Sequence, residues 1–431
     1  MKKLIVLLFL IVSPGIIQAA NFYIDPVNGA HTNDGSSATP WKSLQYLFDN
    51  GYVESRQWNK LPYSSSSYLV VKNSGAPIKG GDTIFLRSGD YDMLSIISYY
   101  NSVPITIKAE QGHTPRFRNI MLRSASKWIL SGVTVRPSAY PSASFSNMLS
   151  LENHSWTGPV DTITVSNCDF ASVENSGSWS ITDWNTKAKN GIRVDGTNMK
   201  IAYNNLQNVN FGISVSASHS LIERNVITNF AGDGLRGLGD YTTFQYNTVK
   251  NCYDVNGNHD DGFQSWSVGA DGKVGTGVVK GIVLRGNTII NFEDENQPFR
   301  GTLQGIGCFD GMFQDWIVEK NIIKVDHWHG ISLYGAVNAV VRDNIVTDLN
   351  NERPGPPWIM LHSHKSGTPS RNCLVTCNIA PKIIDDGGIN MSVEFNTISE
   401  TGGPRHSSCP ALAQISPFLQ LILKESEQAL E

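Results

Sequence analysis

Six cysteines in 431 residues are too few to hold a chain of this length together as a disulfide scaffold. Cys373 and Cys377 can pair or fill the core, and no four-ligand zinc spacing accompanies them. Core packing is expected for most of Cys168, Cys252, Cys308, Cys373, Cys377 and Cys409. No run of Lys or Arg offers a phosphate-neutralising stripe, and the formal charge is −4 with interspersed signs, so no nucleic-acid partner is expected. Long apolar runs are missing after the first residues. Lys2 and Lys3, the apolar run from Leu4 to Val12, Pro14-Gly15 and Ala19-Ala20 read as a signal peptide over 1–20, too short for a membrane span of ~20 residues. A secreted, extracellular or periplasmic protein is therefore expected, monomeric and away from the membrane after cleavage.

What is abundant is a repeated phrase. Gly-apolar pairs stand at Gly191-Ile192, Gly212-Ile213, Gly234-Leu235, Gly262-Phe263, Gly305-Ile306 and Gly330-Ile331. Asn204, Asn225 and Asn247 follow the first three by 13 residues, and the first intervals are 21 and 22 residues. Such periods are the signature of stacked solenoid coils. From Thr162 the segments are short, rich in Ile, Val and Thr, bounded by Asn and Gly, and without helical periodicity, which predicts all-β coils. The dense leucine consensus of leucine-rich repeats is missing. The repeating Asn is given a structural role, an internal ladder of amides in turns that tolerate left-handed backbone.

The fold class expected is all-β, a parallel β-helix over 21–400, followed by a 401–431 tail. Thr39 as N-cap and Pro40 at the first helical position open an N-terminal capping helix that presents Leu44, Leu47 and Phe48 on one face. In the tail, Ser416-Pro417 and the apolar residues to Ile422 read as a capping helix over the last coil, with a frameshifted tail as the alternative. Loops are expected around Gly269–Lys273, Glu293–Pro298 and Asn350–Pro369, where recognition commonly sits.

The densest polar cluster is Asn258-His259-Asp260-Asp261-Gly262-Phe263-Gln264. Strands of successive coils stack at about 4.8 Å, so residues of equal phase share a ligand. That alignment sets Asp233 and Arg236 one coil below, Arg193 and Asp195 further down, and Gln304, Asp310, Asp326, His327 and His329 above. Adjacent carboxylates repel, so Asp260 and Asp261 call for a cation or a raised pKa. Asp233, Asp260, Asp261 and Gln264 supply hard oxygens of the kind Ca²⁺ takes; the alternative is that Asp260 and Asp261 point to opposite faces and one caps a turn. Alternation lets His327 and His329 project together, one as general acid or base. His362 and His364 repeat the alternation without a third ligand. Trp266, Phe309, Trp316, Trp328, Tyr334 and Trp358 provide flat rings against which pyranose C–H faces pack, some of them as core.

Through Phe22–Pro26, Asn33–Gly35, Pro40–Leu44, the Gly81–Ile84 strand and the Asn-turn coils, the chain resembles right-handed parallel β-helix proteins of the pectate lyase-like superfamily. The run Asp260-Asp261-Gly262-Phe263-Gln264 is similar to the calcium motif of family 9 pectate lyases, with Asp233 matching a further acidic ligand. Gly307 stands where that family carries its lysine, so the base falls to Arg236, Lys320 or His329. The order Asp233-Gly234, Asp260-Asp261, His329-Gly330-Ile331-Ser332 also resembles polygalacturonase-type hydrolases. These resemblances imply an enzyme on an acidic polysaccharide, with Arg236, His259, Asp260, Asp261 and His329 catalytic. Arg193, Trp266, Asp310, His327 and Tyr334 would bind substrate, and Ca²⁺ would be the cofactor. A lyase by β-elimination leads, with an inverting hydrolase and a non-catalytic adhesion solenoid as the other readings.

Overall fold

The computed structural model describes residues 19–140, 145–350 and 354–409; the expected signal peptide up to residue 18 and the expected tail helix lie outside the described residues. Parallel strands pair coil on coil from Asn21–Ile24 to Thr397–Ile398. Each coil contributes three strands, and these stack into three walls. In the first wall Ile192, Ile213, Leu235, Phe263, Ile306, Ile331 and Ile359 lie in register, each buried. The second wall aligns Ile201, Ile222, Phe244, Leu284, Val318, Val341 and Val375. The third aligns Leu206, Ile227, Val249, Ile289, Ile323 and Val346. The period-2 alternation of a strand puts these side chains inside and their neighbours on the surface, which makes one long apolar core.

The Gly of each Gly-apolar pair is a steric requirement. A Cβ on Gly212 would lie 2.2 Å from the Gly234 carbonyl oxygen, and one on Gly305 2.2 Å from that of Gly330. The stacked backbone passes too closely for any side chain. The asparagines form an unbroken ladder, Asn204, Asn225, Asn247, Asn287, Asn321, Asn344, Asn378 and Asn396, each Nδ2 donating to the next Oδ1 at 2.9–3.0 Å. The left-handed residue of each turn is the one before the Asn: Tyr203, Arg224, Tyr246 and Lys320 have φ of 58°, 53°, 56° and 57°. The Asn turns inward to bond along the axis, so its predecessor takes the strained φ and turns outward.

Several local expectations are corrected. The capping helix spans Leu44–Asp49 with Ser43 as N-cap, its hydroxyl accepting from Tyr46 N. Thr39 and Pro40 precede it because Trp41 is held extended, its N–H donating to Tyr23 O and its carbonyl accepting from Asp25 N. Leu44, Leu47 and Phe48 are buried as expected. The stretch after Thr162 also carries a helix, Ile181–Lys187, closed by a capping box between Ser180 and Asp183. Cys377 pairs with Cys409 rather than with Cys373, while Cys168, Cys252, Cys308 and Cys373 are buried and free.

Coils from residue 261 onward are wider. Short strands Val278–Lys280, Met312–Gln314 and Ala336–Val337 form an extra parallel sheet, and each follows a first-wall strand, Asp261–Trp266, Gln304–Asp310 or His329–Tyr334. Those three strands carry Asp261, Gln264, Gln304, Asp310 and His329 among the polar residues singled out in the sequence.

Candidate active site on the first wall

The residue preceding each glycine is Asp233, Asp261, Gln304 and His329 in four successive coils. The stacking is direct: Gly234 N donates to Asp261 O, and Asp261 N donates to Asp233 Oδ1 at 3.2 Å. Two residues after the glycine the outward positions are Arg236, Gln264, Gly307 and Ser332, again in register. Every side chain of the stripe is thus placed by coil stacking.

Asp233 is 2% exposed, and its Oδ2 accepts from Arg236 Nε. Arg236 also lies over the Phe211 ring at 3.7 Å and the Trp266 ring at 5.4 Å. Its Nε is engaged by the Asp233 carboxylate, which disfavours the role of base considered from the sequence. Asp261, fully buried, accepts from Gln264 Nε2 at 2.8 Å and lies 3.9 Å from His259 Nδ1. Burial pushes both carboxyls up from the ordinary range; Arg236 partly opposes this at Asp233, and His259 at Asp261. The reciprocal effect holds His259 above its usual 6.5, chiefly through its bond to Asp261.

Asp260 takes a different direction from its neighbour, as in the alternative reading from alternation. It meets Cys252 Sγ at 3.6 Å and lines a cavity of about 70 Å³ with Asp254, His259, Thr302, Gln304 and His327. Burial, then the charges of Asp254 and Asp233, raise it to about 7. Asp260 Oδ1, Asp261 Oδ1 and Gln304 Oε1 are buried acceptors without a partner. A Cβ on Gly307 would sit 2.1 Å from Asp261 Oδ1 and 2.8 Å from Gln304 Oε1, so the missing side chain leaves space for the carboxyl itself.

The expected calcium quartet does not fit a shared ion. Both Asp233 oxygens are engaged, by Arg236 and Asp261 N, while Gln264 presents its NH₂ group to Asp261 and Asp260 faces Cys252. Among the described residues no group of three or more His, Cys, Asp or Glu is arranged to hold a metal. The arginine stands as the built-in cation of this acid set.

Above the acids lie two histidines. His329 Nδ1 is 2.8 Å from Ser332 Oγ, which also accepts from Trp358 Nε1 at 3.2 Å. The His327 and His329 rings stack at 5.3 Å, and His259 is 6.5 Å from His327. Burial, with the neighbouring imidazoles, lowers His327 and His329 to about 4. Both are neutral at ordinary pH. Phe309 bridges His329 at 4.7 Å and Tyr334 at 5.1 Å, and Trp328 and Trp358 stack at 6.0 Å alongside.

Other predicted positions lie further out. Arg193, two coils below Arg236 in register through Ser214, pairs with Asp195 at 3.0 Å. Asp310 is in register with Trp266 and is bound by Lys365 at 2.6 Å, and Tyr334 is edge-on to His362. Asp326 is buried and accepts from Asn291 Nδ2, so it leaves the stripe. Trp316 is core, and Lys320 stands at the corner before ladder Asn321, away from this wall. Missed residues include Asp254, Cys252, Ser332 and Phe211. Ser332 was readable in His329–Ser332, whereas Asp254 sits in a loop with no periodic signal.

A family model described as a right-handed beta helix region matches residues 190–375. The chain is a right-handed parallel β-helix. No curated protein matches its sequence. Among solved structures the helix is similar to the A-module of Azotobacter vinelandii mannuronan C-5 epimerase AlgE6, at 14% identity over 76% of this chain and 92% of that one, with a TM-score of 0.49. It is also similar to a mannuronic acid specific polysaccharide family 6 lyase from human gut microbiota, at 14% identity over 74% and 78%, TM-score 0.43. A third is pectate lyase Pel9A, at 14% identity over 93% and 86%, TM-score 0.38. At these identities the likeness is one of fold.

Proposed function

We propose that this β-helix cleaves a uronate-containing polysaccharide by β-elimination on its first wall. The observation that carries the reading is the pairing of a neutral, oriented imidazole with a cationic group on one stripe: His329, tied through Nδ1 to Ser332, and Arg236 with its fork beyond Asp233. Elimination needs the substrate carboxylate neutralised so that the adjacent C–H becomes acidic, a base for that proton, and a proton for the leaving oxygen. Arg236 serves the first need, His329 Nε2 the second, and His259, whose proton affinity the neighbouring Asp261 raises, the third. Trp266, Trp328 and Trp358 supply faces for the sugar rings.

Protonated Asp260 favours a second reading, inverting hydrolysis, in which a raised carboxyl protonates the leaving oxygen and a second carboxylate activates water. Export fits both readings, supported by the Lys2-Lys3 leader and by a disulfide, Cys377–Cys409, suited to an oxidising compartment. Incubation with pectate and with alginate separates the reactions. Elimination yields an unsaturated product that absorbs in the ultraviolet; new reducing ends without that absorbance would assign hydrolysis, and neither signal would remove catalysis from this wall.

A further inference from the structure

The corner between the second and third walls carries a surface feature that the first-wall site does not use. Because each ladder Asn turns inward, its predecessor turns outward, and in consecutive coils these are Tyr203, Arg224, Tyr246, Gly286 and Lys320. Tyr203 is 52% exposed and Tyr246 46%, a poor use of large rings in a protein whose core has room for aromatics elsewhere. Arg224 lies between them, its guanidinium 5.9 Å from the Tyr203 ring and 5.1 Å from the Tyr246 ring. Glu223, its chain neighbour, is occupied by Lys200 at 3.0 Å and by Gln245 Nε2 at 3.1 Å. The guanidinium is therefore stacked between rings without an ion pair of its own among the described residues, although its charge helps hold the Glu223 carboxyl below the usual range.

The next coil is shaped around the second ring. A Cβ on Gly286 would come 2.7 Å from the Tyr246 ring, so the ring rests against bare backbone, and the residue stays partly open to solvent. Beyond it, Lys320 is exposed at the same corner position. Folding alone does not ask for this order, since Asp343 and Cys377 fill the same position in later coils. One coil rises about 4.8 Å, which sets the two tyrosines about 10 Å apart with a cation halfway between. That spacing approximates the repeat of two sugar units in an extended polysaccharide lying along the solenoid axis.

We propose that Tyr203, Arg224 and Tyr246 form a binding ridge for an extended acidic polysaccharide, separate from the first wall. Rings receive alternate pyranose faces, and Arg224, with Lys320 further along, meets the carboxylates. A ridge of this kind holds a long polymer on the same molecule whose first wall faces another part of it, raising the local substrate concentration without taking part in chemistry.

Affinity electrophoresis of the full chain in gels containing polygalacturonate, alginate or uncharged dextran tests the ridge. Wild type and His329→Ala are expected to be retarded equally by an acidic polymer and not by dextran. The double variant Tyr203→Ala/Tyr246→Ala is expected to lose at least ten-fold in apparent affinity. Arg224→Glu, a second surface change on the same ridge, is also expected to lose at least ten-fold, the first wall keeping its own share of binding, and it keeps the test valid if the double variant misfolds. Retardation of Arg224→Glu equal to that of wild type, equal retardation in dextran, or none for wild type in either acidic gel would overturn the proposal. Because the readout is binding and His329→Ala is included, loss of the ridge and failure of the first-wall chemistry give different patterns.

Discussion

Asn247→Ala is expected to destabilise the β-helix by about 3 kcal/mol, a value that follows from counting partners. The Asn247 side chain is fully buried. Its Oδ1 accepts from Asn225 N and Asn225 Nδ2, both at 3.0 Å, and its Nδ2 donates to Ile222 O at 2.9 Å and Asn287 Oδ1 at 3.0 Å. Truncation leaves Asn225 N with no acceptor, at a cost of roughly 1–3 kcal/mol for a buried unsatisfied donor. Ile222 O loses its amide donor, whereas Asn225 Nδ2 keeps Ile201 O and Asn287 Oδ1 keeps Asn247 N, so these add about 1 kcal/mol together. Asn296→Ala, in an exposed loop, is the matched control and is expected to stay within about 0.5 kcal/mol of wild type. Equilibrium urea unfolding followed by circular dichroism measures both. A loss below about 1 kcal/mol for Asn247→Ala, or equal losses in the two variants, would refute the view that the ladder is a principal support of the coils.

Two further outcomes follow from the buried charges. Glu319 is clamped by Arg285 and Arg342, and although burial would raise its carboxyl, the two guanidiniums hold it below the usual range. Glu319→Gln strands two largely buried cations and is expected to cost about 3–5 kcal/mol in the same unfolding assay. For pH, His327 and His329 titrate at about 4 when folded and near 6.5 when unfolded, so the unfolded chain binds more protons between those values and their contribution to stability fades as pH falls through that window. Asp260, raised to about 7, acts with the opposite sign, losing stability as pH climbs from about 4 to 7. Asp260→Asn is therefore expected to steepen the decline of stability on acidification, seen in denaturation midpoints from pH 7 down to 4. An unchanged or shallower slope would contradict the assignment.

Much of the scaffold was legible because its rules are local and periodic. The 21- and 22-residue spacing of glycines and asparagines repeats once per coil, and close backbone approach and axial amide bonding each admit one residue type. The stripe Asp233, Asp261, Gln304 and His329 followed from the same phase. Readings failed where partners come from outside the period. Arg236 was a candidate base until its carboxylate partner was placed, and Asp254 reaches Asp260 from a loop. Trp316 looked like a groove ring because composition cannot say which side of a strand a residue takes after an insertion; the extra short sheet shifts that phase and turns it into the core. The helix at Ile181–Lys187 carried its signal in Ser180 and Asp183, but two turns are too short to show periodicity.

The central claim, that His329 removes a proton from a uronate on the first wall, is tested most directly by measuring His329→Ala for turnover and polymer retention on one preparation. Formation of the ultraviolet-absorbing unsaturated product is expected to fall by about 10²–10⁴-fold while retention in an acidic-polysaccharide gel is unchanged. Turnover within a few-fold of wild type, with the same product, would contradict it.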